Sequence, residues 1–171
     1  MNGYEFYPED GSTLYEEEAW ELSEQARSLW LRLTFAGEYS EGMSPVQIQG
    51  RKYLPMFPAR DGVYTIEQVR EKFLAVFSEE FTDKTLNAAI ASKDLLEYNG
   101  NIYAAYRKNK GKTSYNSWAD HVRDDGAGKF TVVMGVSMPP DGSTVYVELP
   151  TEKNVAGKFV FTDYPYWDRS E

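Results

Sequence analysis

The spacing of apolar residues divides the chain into a helical N-terminal part and a β-rich C-terminal part. In TLYEEEAWELSEQARSLWLRLTF, which begins at Thr13, apolar residues recur every three or four positions, as in a helix with one buried face. TIEQVREKFLAVF predicts a second helix, and a third, shorter helix follows from about Thr82. The predicted inward positions of the second helix are Val69, Phe73, Val76 and Phe77.

Two of these helices begin with a capping signal. Thr13 with Glu16, and Thr65 with Gln68, have the spacing of a capping box, in which each side chain accepts a hydrogen bond from the backbone N–H of the other residue. We therefore predict that Thr13 caps the first helix and Thr65 caps the second.

The strand signals are concentrated after residue 95. Asn99-Gly100 in EYNGNIYAAY predicts a hairpin, because a tight hairpin turn needs positive φ at both central residues. The β-rich stretches that follow are GKFTVVMGVSMP, TVYVELP and GKFVFTDYP, separated by the turn-forming segments DDGAG, PPDGS and TEKNVA. Earlier in the chain, VQIQGRKYLPMF is interpreted as an edge strand, since Pro55 cannot donate to a β-ladder.

Helices followed by strands predict an α+β fold, with the N-terminal helices packed on one face of a curved antiparallel sheet. The 171 residues fit one domain of ordinary size. We expect residues 1–12 to form a loose leader or linker and residues 13–171 to form a single α+β domain.

The predicted hairpin raises the question of where its tyrosines lie. In an alternating strand Tyr103 shares a face with Ala105, and Tyr106 shares the other face with Ala104. We expect one of the two tyrosines to pack inside and the other to face a partner or a pocket.

Composition and charge favour a protein-binding role. Hydrophobic residues make up 42% and charged residues 26% of the chain, as in globular proteins, and the 13 tyrosines suit interfaces and pocket walls. The net charge is −9, and residues 1–50 carry ten acidic but only two basic side chains. A field of this sign repels nucleic acid and attracts a basic protein partner. A solvated helix face that only keeps the protein in solution is the alternative.

No targeting or membrane signal is present in the sequence as given. No apolar run approaches the 18 residues of a membrane span, and MNGYEFYPEDGST lacks the basic and apolar regions of a signal peptide. We expect a soluble chain, which leaves open whether it is a piece of a longer exported or anchored protein. Without cysteine, the redox compartment also stays open.

Candidate catalytic and metal-binding groups are few. The single histidine, His121, follows Asp120, but adjacent residues of a strand point to opposite faces, so we expect the two side chains to point apart. One histidine and no cysteine do not make a zinc site, RDDGAGK has too few ligand positions for an EF-hand, and GAGK lacks the pattern of a P-loop. We expect no cofactor, no metal and no enzymatic activity.

A basic run, YRKNKGK, interleaves with tyrosines beyond the hairpin. Such a pattern can hold single-stranded nucleic acid, but the acidic net charge favours a solvated loop or an intramolecular counterweight to the first helix.

The order of these segments resembles the bacterial cell-wall D,L-endopeptidase inhibitor family. The resemblance covers residues 13–138 and rests on the first helix with Trp30, the Gly-Glu-Tyr segment at residues 37–39, GRKYLPM, TIEQVREKFLAVFSEEFTDKTL, and LLEYNGNIYAAYRKNKG running to Trp118. PPDGSTVYVELPTEKN falls outside it. Members of this family are secreted and bind NlpC/P60-type cysteine hydrolases that cut peptidoglycan stem peptides.

The resemblance implies a cystatin-like or nuclear-transport-factor-like cone fold, a secreted or cell-surface location, and inhibition by a loop that plugs the active-site groove of the hydrolase. We expect the partner contacts to come from the turn after SWADHVR and from residues near the hairpin. The predicted contact residues are Asp124, Asp125, Gly126, Tyr106, Lys108 and Tyr115.

Two other functions stay open. A cone of this type can hold a small hydrophobic ligand or catalyse isomerisation, which a pocket lined by Trp20, Trp30 or Tyr103 with a buried Asp would favour and a filled interior would exclude. The domain can also be a structural module of a larger surface protein.

Overall fold

The computed structural model describes residues 11–34, 44–106, 116–138 and 140–164, which contain three α-helices and two antiparallel sheets. The helices are α1 (Glu16–Thr34), α2 (Ile66–Leu74) and α3 (Glu79–Ala91), with a 3-10 turn at Ala59–Asp61. The strands are β1 (Val46–Ile48), β2 (Arg51–Pro55), β3 (Leu95–Tyr98), β4 (Asn101–Ala105), β5 (Asn116–Gly126), β6 (Lys129–Met138), β7 (Ser143–Lys153) and β8 (Phe159–Phe161). The predicted α+β class, with N-terminal helices packed on a sheet, is confirmed.

The described strands divide into two four-stranded sheets. The first has the order β1-β2-β4-β3 and the second has the order β5-β6-β7-β8. All neighbouring strands are antiparallel. The second sheet begins at β5, which pairs with β6 and with no described strand of the first sheet. The sequence patterns of the individual strands do not predict this division, because they do not show which strands pair.

Of the two helix caps predicted from the sequence, the structure confirms one. Thr65 accepts a hydrogen bond from the Gln68 N–H and the Gln68 side chain accepts from the Thr65 N–H, so the capping box of α2 is confirmed. The predicted Thr13 cap is wrong, because α1 begins only at Glu16. Leu14, which directly follows Thr13, is instead buried in the core. Helix α3 begins three residues earlier than predicted, with Ser78 as its cap.

The predicted edge strand in VQIQGRKYLPMF is a hairpin instead. Strand β1 turns back into β2 at Gln49 and Gly50, whose φ angles are 52° and 81°. Strand β2 then lies inside the sheet, between β1 and β4. Pro55 is the last residue of β2 and lies beyond the segment that pairs with β1, so its missing N–H removes no ladder hydrogen bond to β1. Gln-Gly is a weaker hairpin signal than Asn-Gly, which does form the predicted turn between β3 and β4.

One hydrophobic core joins the helices to both sheets. All four predicted inward residues of the α2 region are buried: Val69, Phe73, Val76 and Phe77. Phe77 lies in the short link between α2 and α3 and forms a parallel bridge with Phe161 of β8. The Ser78 N–H donates to the Phe161 carbonyl at 2.8 Å, so the last described strand is attached directly to the helical part.

The hairpin tyrosines lie on opposite sides of the first sheet, as predicted. Tyr106 packs against the main core, as does the fully buried Ala104. Tyr103 packs against a small second cluster that contains Tyr53 and Ala105. Both side chains are half-buried, and the expectation that one of them faces a partner or a pocket stays a prediction.

Candidate functional site

The turn between β5 and β6, residues 124–129, is an exposed and tightly folded tip. Gly126, Ala127 and Gly128 have φ angles of 85°, 55° and 75°. Three successive left-handed residues reverse the chain within a very short length, and glycine adopts this conformation without a steric penalty. The Asp124 carboxylate accepts a hydrogen bond from the Gly126 N–H at 2.9 Å, which fixes the entry to the turn.

A network of side chains from three strands supports this turn. Asp125 accepts from the Arg123 Nε–H at 2.6 Å and from the Thr131 hydroxyl at 2.5 Å. Arg123 also donates to Glu148 of β7. The register of β5 on β6 shifts between Asp124 and Gly126, so Asp125 occupies a β-bulge. A bulge re-aims a side chain, which here brings the Asp125 carboxylate onto both donors.

The electrostatics of the network follow from these hydrogen bonds. The Thr131 hydroxyl and the Arg123 guanidinium hold the pKa of Asp125 below its ordinary value. Hydrogen bonds to Asp125 and then Glu148 raise the pKa of Arg123. The charges at the base of the turn therefore stay on through the physiological range and hold the strands together.

The structure brings together three of the six predicted contact residues. Asp124, Asp125 and Gly126 lie in the β5–β6 turn. Tyr106 directly follows β4 in the other sheet, where it is half-buried and the Lys52 ammonium lies 5.3 Å from its ring centroid. Lys108 and Tyr115 lie outside the described residues.

The supporting residues Arg123, Thr131 and Glu148 were not predicted from the sequence. Each belongs to a different strand, and their proximity depends on strand register. Alternation along one strand gives the face of a residue but not its neighbours across the sheet. No signal in a single sequence identifies this set.

His121 and Asp120 form a hydrogen-bonded pair, contrary to the expectation that they point apart. The distance from His121 Nδ1 to Asp120 Oδ2 is 2.9 Å. The register of β5 shifts between Ala119 and His121, so a second bulge breaks the alternation on which the expectation rested. Both side chains are well exposed, and among the described contacts the only polar partner of His121 is Asp120. This pair lies on an open sheet face.

The outer face of the second sheet, turned away from the core, carries an aromatic row. Trp118 of β5 lies opposite Gly135 of β6, and Gly135 lies opposite Tyr146 of β7. A methyl group added at Gly135 would overlap the Cε2, Cζ2 and Nε1 atoms of Trp118. The indole ring therefore lies across the bare backbone of Gly135.

A second feature has the chain order of a helix-turn-helix with a wing. Helices α2 and α3 are separated by four residues and followed by the β3–β4 hairpin. In DNA-binding proteins the second helix of such a pair enters the major groove. The exposed residues at the start of α3 include Glu79, Glu80 and Lys84, and Arg70 of α2 is paired with Asp83. This acidic excess disfavours contact with a phosphate backbone.

Aromatic side chains pack against one another beneath α1. The Trp30 ring lies 6.0 Å from the Phe81 ring and 5.3 Å from the Tyr164 ring, measured between centroids. Trp20 is exposed, and no described Asp or Glu is buried. These observations disfavour the ligand-binding and isomerase alternative at the position where the sequence placed it.

An open groove of about 510 Å³ lies instead between α1 and the turn before β8, with Glu18, Glu21 and Lys158 in its lining. None of the described helices is long and apolar enough to cross a membrane.

No family model matches the sequence, and no curated protein is significantly similar to it.

Proposed function

We propose that this chain is a non-catalytic, extracytoplasmic protein-binding domain that inhibits or regulates a peptidoglycan D,L-endopeptidase of the NlpC/P60 type. The β5–β6 turn inserts into the active-site groove of the hydrolase. The observation that carries the proposal is the exposed, narrow tip at residues 124–129, whose base is held by hydrogen bonds among Arg123, Asp125 and Thr131.

Rigidity at the base of the turn is what inhibition by insertion requires. A loop that is ordered before binding loses little conformational entropy in the complex, so more of its contact energy contributes to affinity. The Gly-Ala-Gly tip has no side chain larger than a methyl group, which allows it to enter a groove shaped for a peptide.

The acidic character of the domain supports a basic partner. Asp124 and Asp125 lie at the exposed turn, and the net charge of the chain is −9. Charge complementarity of this kind raises the association rate and is weakened by salt.

The direct test measures cleavage of a stem peptide by a purified NlpC/P60 catalytic domain in the presence of this protein. We expect stoichiometric inhibition that weakens between low and high salt. Ala127→Arg should abolish it, because the substitution enlarges the tip without removing any hydrogen bond of the network.

Asn99→Arg is the matched control. Asn99 is also an exposed, left-handed residue of a hairpin turn, with φ of 49°, but it belongs to the first sheet. The proposal fails if the wild-type protein neither binds nor inhibits the hydrolase at micromolar concentration. Equal loss of inhibition in both variants would reject the β5–β6 turn as the inserted loop.

A further inference from the structure

The aromatic row Trp118–Gly135–Tyr146 forms an open platform in the middle of the second sheet. Tyr146 is 62% exposed, and Trp118 is partly exposed. Since adjacent strands are about 4.8 Å apart, the two aromatic residues are anchored about 10 Å from each other. Neither the indole N–H nor the phenol hydroxyl has a hydrogen-bond partner among the described residues.

Gly135 is what makes the platform flat. Any larger residue would displace the indole from the backbone, as the overlap at Gly135 shows. A ring that rests on the sheet keeps one face against the backbone and leaves the opposite face for a ligand. Such a ring face is electron-rich and attracts the positively polarised C–H groups of a stacked partner.

The described charged groups nearest the platform are already paired within the protein. Arg123 is paired with both Asp125 and Glu148, and Asp120 is hydrogen-bonded to His121. On the side toward the β6–β7 turn, the platform is bordered by neutral polar residues, since Asn116, Ser137 and Thr144 occupy the next cross-strand row. Among the described residues, the platform thus offers stacking surfaces and hydrogen-bonding groups but no unpaired charge.

From this combination we infer that the outer face of the second sheet binds a neutral oligosaccharide, with Trp118 and Tyr146 stacking on sugar rings and the flanking polar groups binding hydroxyls. A sugar ring has an apolar C–H face and a polar rim, which matches a stacking surface bordered by neutral donors and acceptors. The site is separate from the β5–β6 turn and does not depend on the proposed inhibition.

Two other ligands that stack on aromatic residues fit this surface less well. Single-stranded nucleic acid also stacks on aromatic platforms but needs a basic groove to follow its backbone. Here the described charged residues on the side toward the β5–β6 turn include the carboxylates of Asp120 and Glu148. A cationic peptide would need carboxylates that are free to pair with it, and those near the row are already paired to Arg123 and His121.

The test is a titration of the whole chain with neutral hexasaccharides, followed by the NMR signal of the Trp118 indole N–H, which the Trp118→Phe variant assigns. The probes are chitohexaose, cellohexaose and maltohexaose, with hexalysine and an oligothymidylate of six nucleotides as charged comparators. We expect at least one neutral probe to shift the Trp118 signal saturably. Tyr146→Ala should weaken that binding by about tenfold or more, the cost of removing one stacking aromatic elsewhere.

Tyr98→Ala provides the matched control, because Tyr98 is 40% exposed but belongs to the first sheet. It should leave the affinity unchanged. The proposal is overturned if none of the three hexasaccharides shifts the Trp118 signal, if a charged comparator binds there more tightly, or if Tyr146→Ala binds like the wild type. Tyr146 is exposed, so its substitution leaves the fold intact and keeps the test interpretable.

Discussion

At the scale of single residues, the two β-bulges of β5 and Gly135 of β6 shape the outer face of the second sheet. Bulges at Asp120 and Asp125 turn those carboxylates toward His121 and toward Arg123. Gly135 provides the space that the Trp118 ring occupies. The bulges and the glycine act through contacts between strands, so their effect can be recognised only when the strand register is known.

Gly135→Ala tests the packing of the indole. The added methyl group overlaps Trp118, so we expect a loss of about 1–3 kcal/mol of unfolding free energy, as for other overpacked sites. Denaturant unfolding measures it. In the double variant Trp118→Ala/Gly135→Ala the cost of the alanine at 135 should largely vanish. If both costs simply add, the two residues are independent and the interpretation is wrong.

Asp125→Asn tests the network through pH. The pKa of Asp125 in the folded protein is lowered from 3.8, so its ionised form stabilises the protein above that value and the benefit is lost as pH falls below it. Urea unfolding between pH 7 and pH 2 should show wild type more stable than the variant at neutral pH, with the difference shrinking below pH 3.8. Thr131→Val removes the hydroxyl that donates to Asp125. In this variant we expect the unfolding free energy to fall less steeply as the pH drops below 3.8. A difference that stays constant down to pH 2 would contradict the assignment.

At the scale of elements, capping explains where the helices of the central segment begin. Helix α2 has its capping box, and the Glu97 carboxylate of β3 also accepts from the Ile66 N–H at 2.8 Å. A bidentate pair between Arg70 and Asp83 then joins α2 to α3. The short helices are therefore held at their ends and to each other, which matters because isolated helices of this length are marginal in water.

Ser78→Ala tests the cap of α3. Ser78 is buried and accepts from the Phe81 N–H at 3.2 Å, so its removal leaves that donor unsatisfied. We expect a loss of about 1 kcal/mol or more by thermal or denaturant unfolding. Ser92→Ala, at the exposed C-terminal end of the same helix, should change stability by no more than about 0.5 kcal/mol. Equal effects would show that Ser78 does not act as a cap.

Local signals in the sequence predicted most of these elements, and non-local pairing explains what they missed. The Thr65 box and the Asn99-Gly100 turn are fixed by residues within a few positions of each other, and both were predictable. Thr13 has the same pattern, but the chain there uses Leu14 to fill the core, and α1 starts later. The division into two sheets and the partners of Arg123 depend on strand register, which one sequence does not encode locally.

At the scale of the whole molecule, the contact between Phe77 and Phe161 joins the helical part to the second sheet. Both side chains are fully buried, and the Phe161 N–H donates to the Val76 carbonyl at 2.8 Å. Phe77 also packs on Phe73 and Phe81, with ring centroids 5.6 and 4.8 Å away. The two sheets therefore share one core.

Phe77→Ala should destabilise the entire protein. Removing a fully buried phenylalanine typically costs about 3–5 kcal/mol, and here the cavity lies between the helices and β8. We expect helical circular dichroism and tryptophan fluorescence to report one shared transition, shifted to lower denaturant. Tyr146→Ala, an exposed change, should leave that transition in place. Two separated transitions in the wild type would show that the expected single domain is two.

The position of the candidate turn in the chain was predictable from the sequence, but the side-chain contacts that support it were not. DDGAG marks an exposed turn by composition alone, and Asp124, Asp125 and Gly126 do lie there. The features that support the proposed functions, the Arg123 network and the aromatic row, are assembled from three strands across the sheet. Each residue in them looks ordinary in the linear sequence.

The contact between Phe77 and Phe161 also constrains when the chain can fold during its synthesis. A ribosome that has reached the end of β4 has made the three described helices, but the strand that covers Phe77 comes almost at the end of the described chain. Until β8 emerges, Phe77 lacks the strand that pairs with it, so this part of the apolar core stays uncovered in the nascent chain. The core around Phe77 is therefore completed only after β8 has been synthesised.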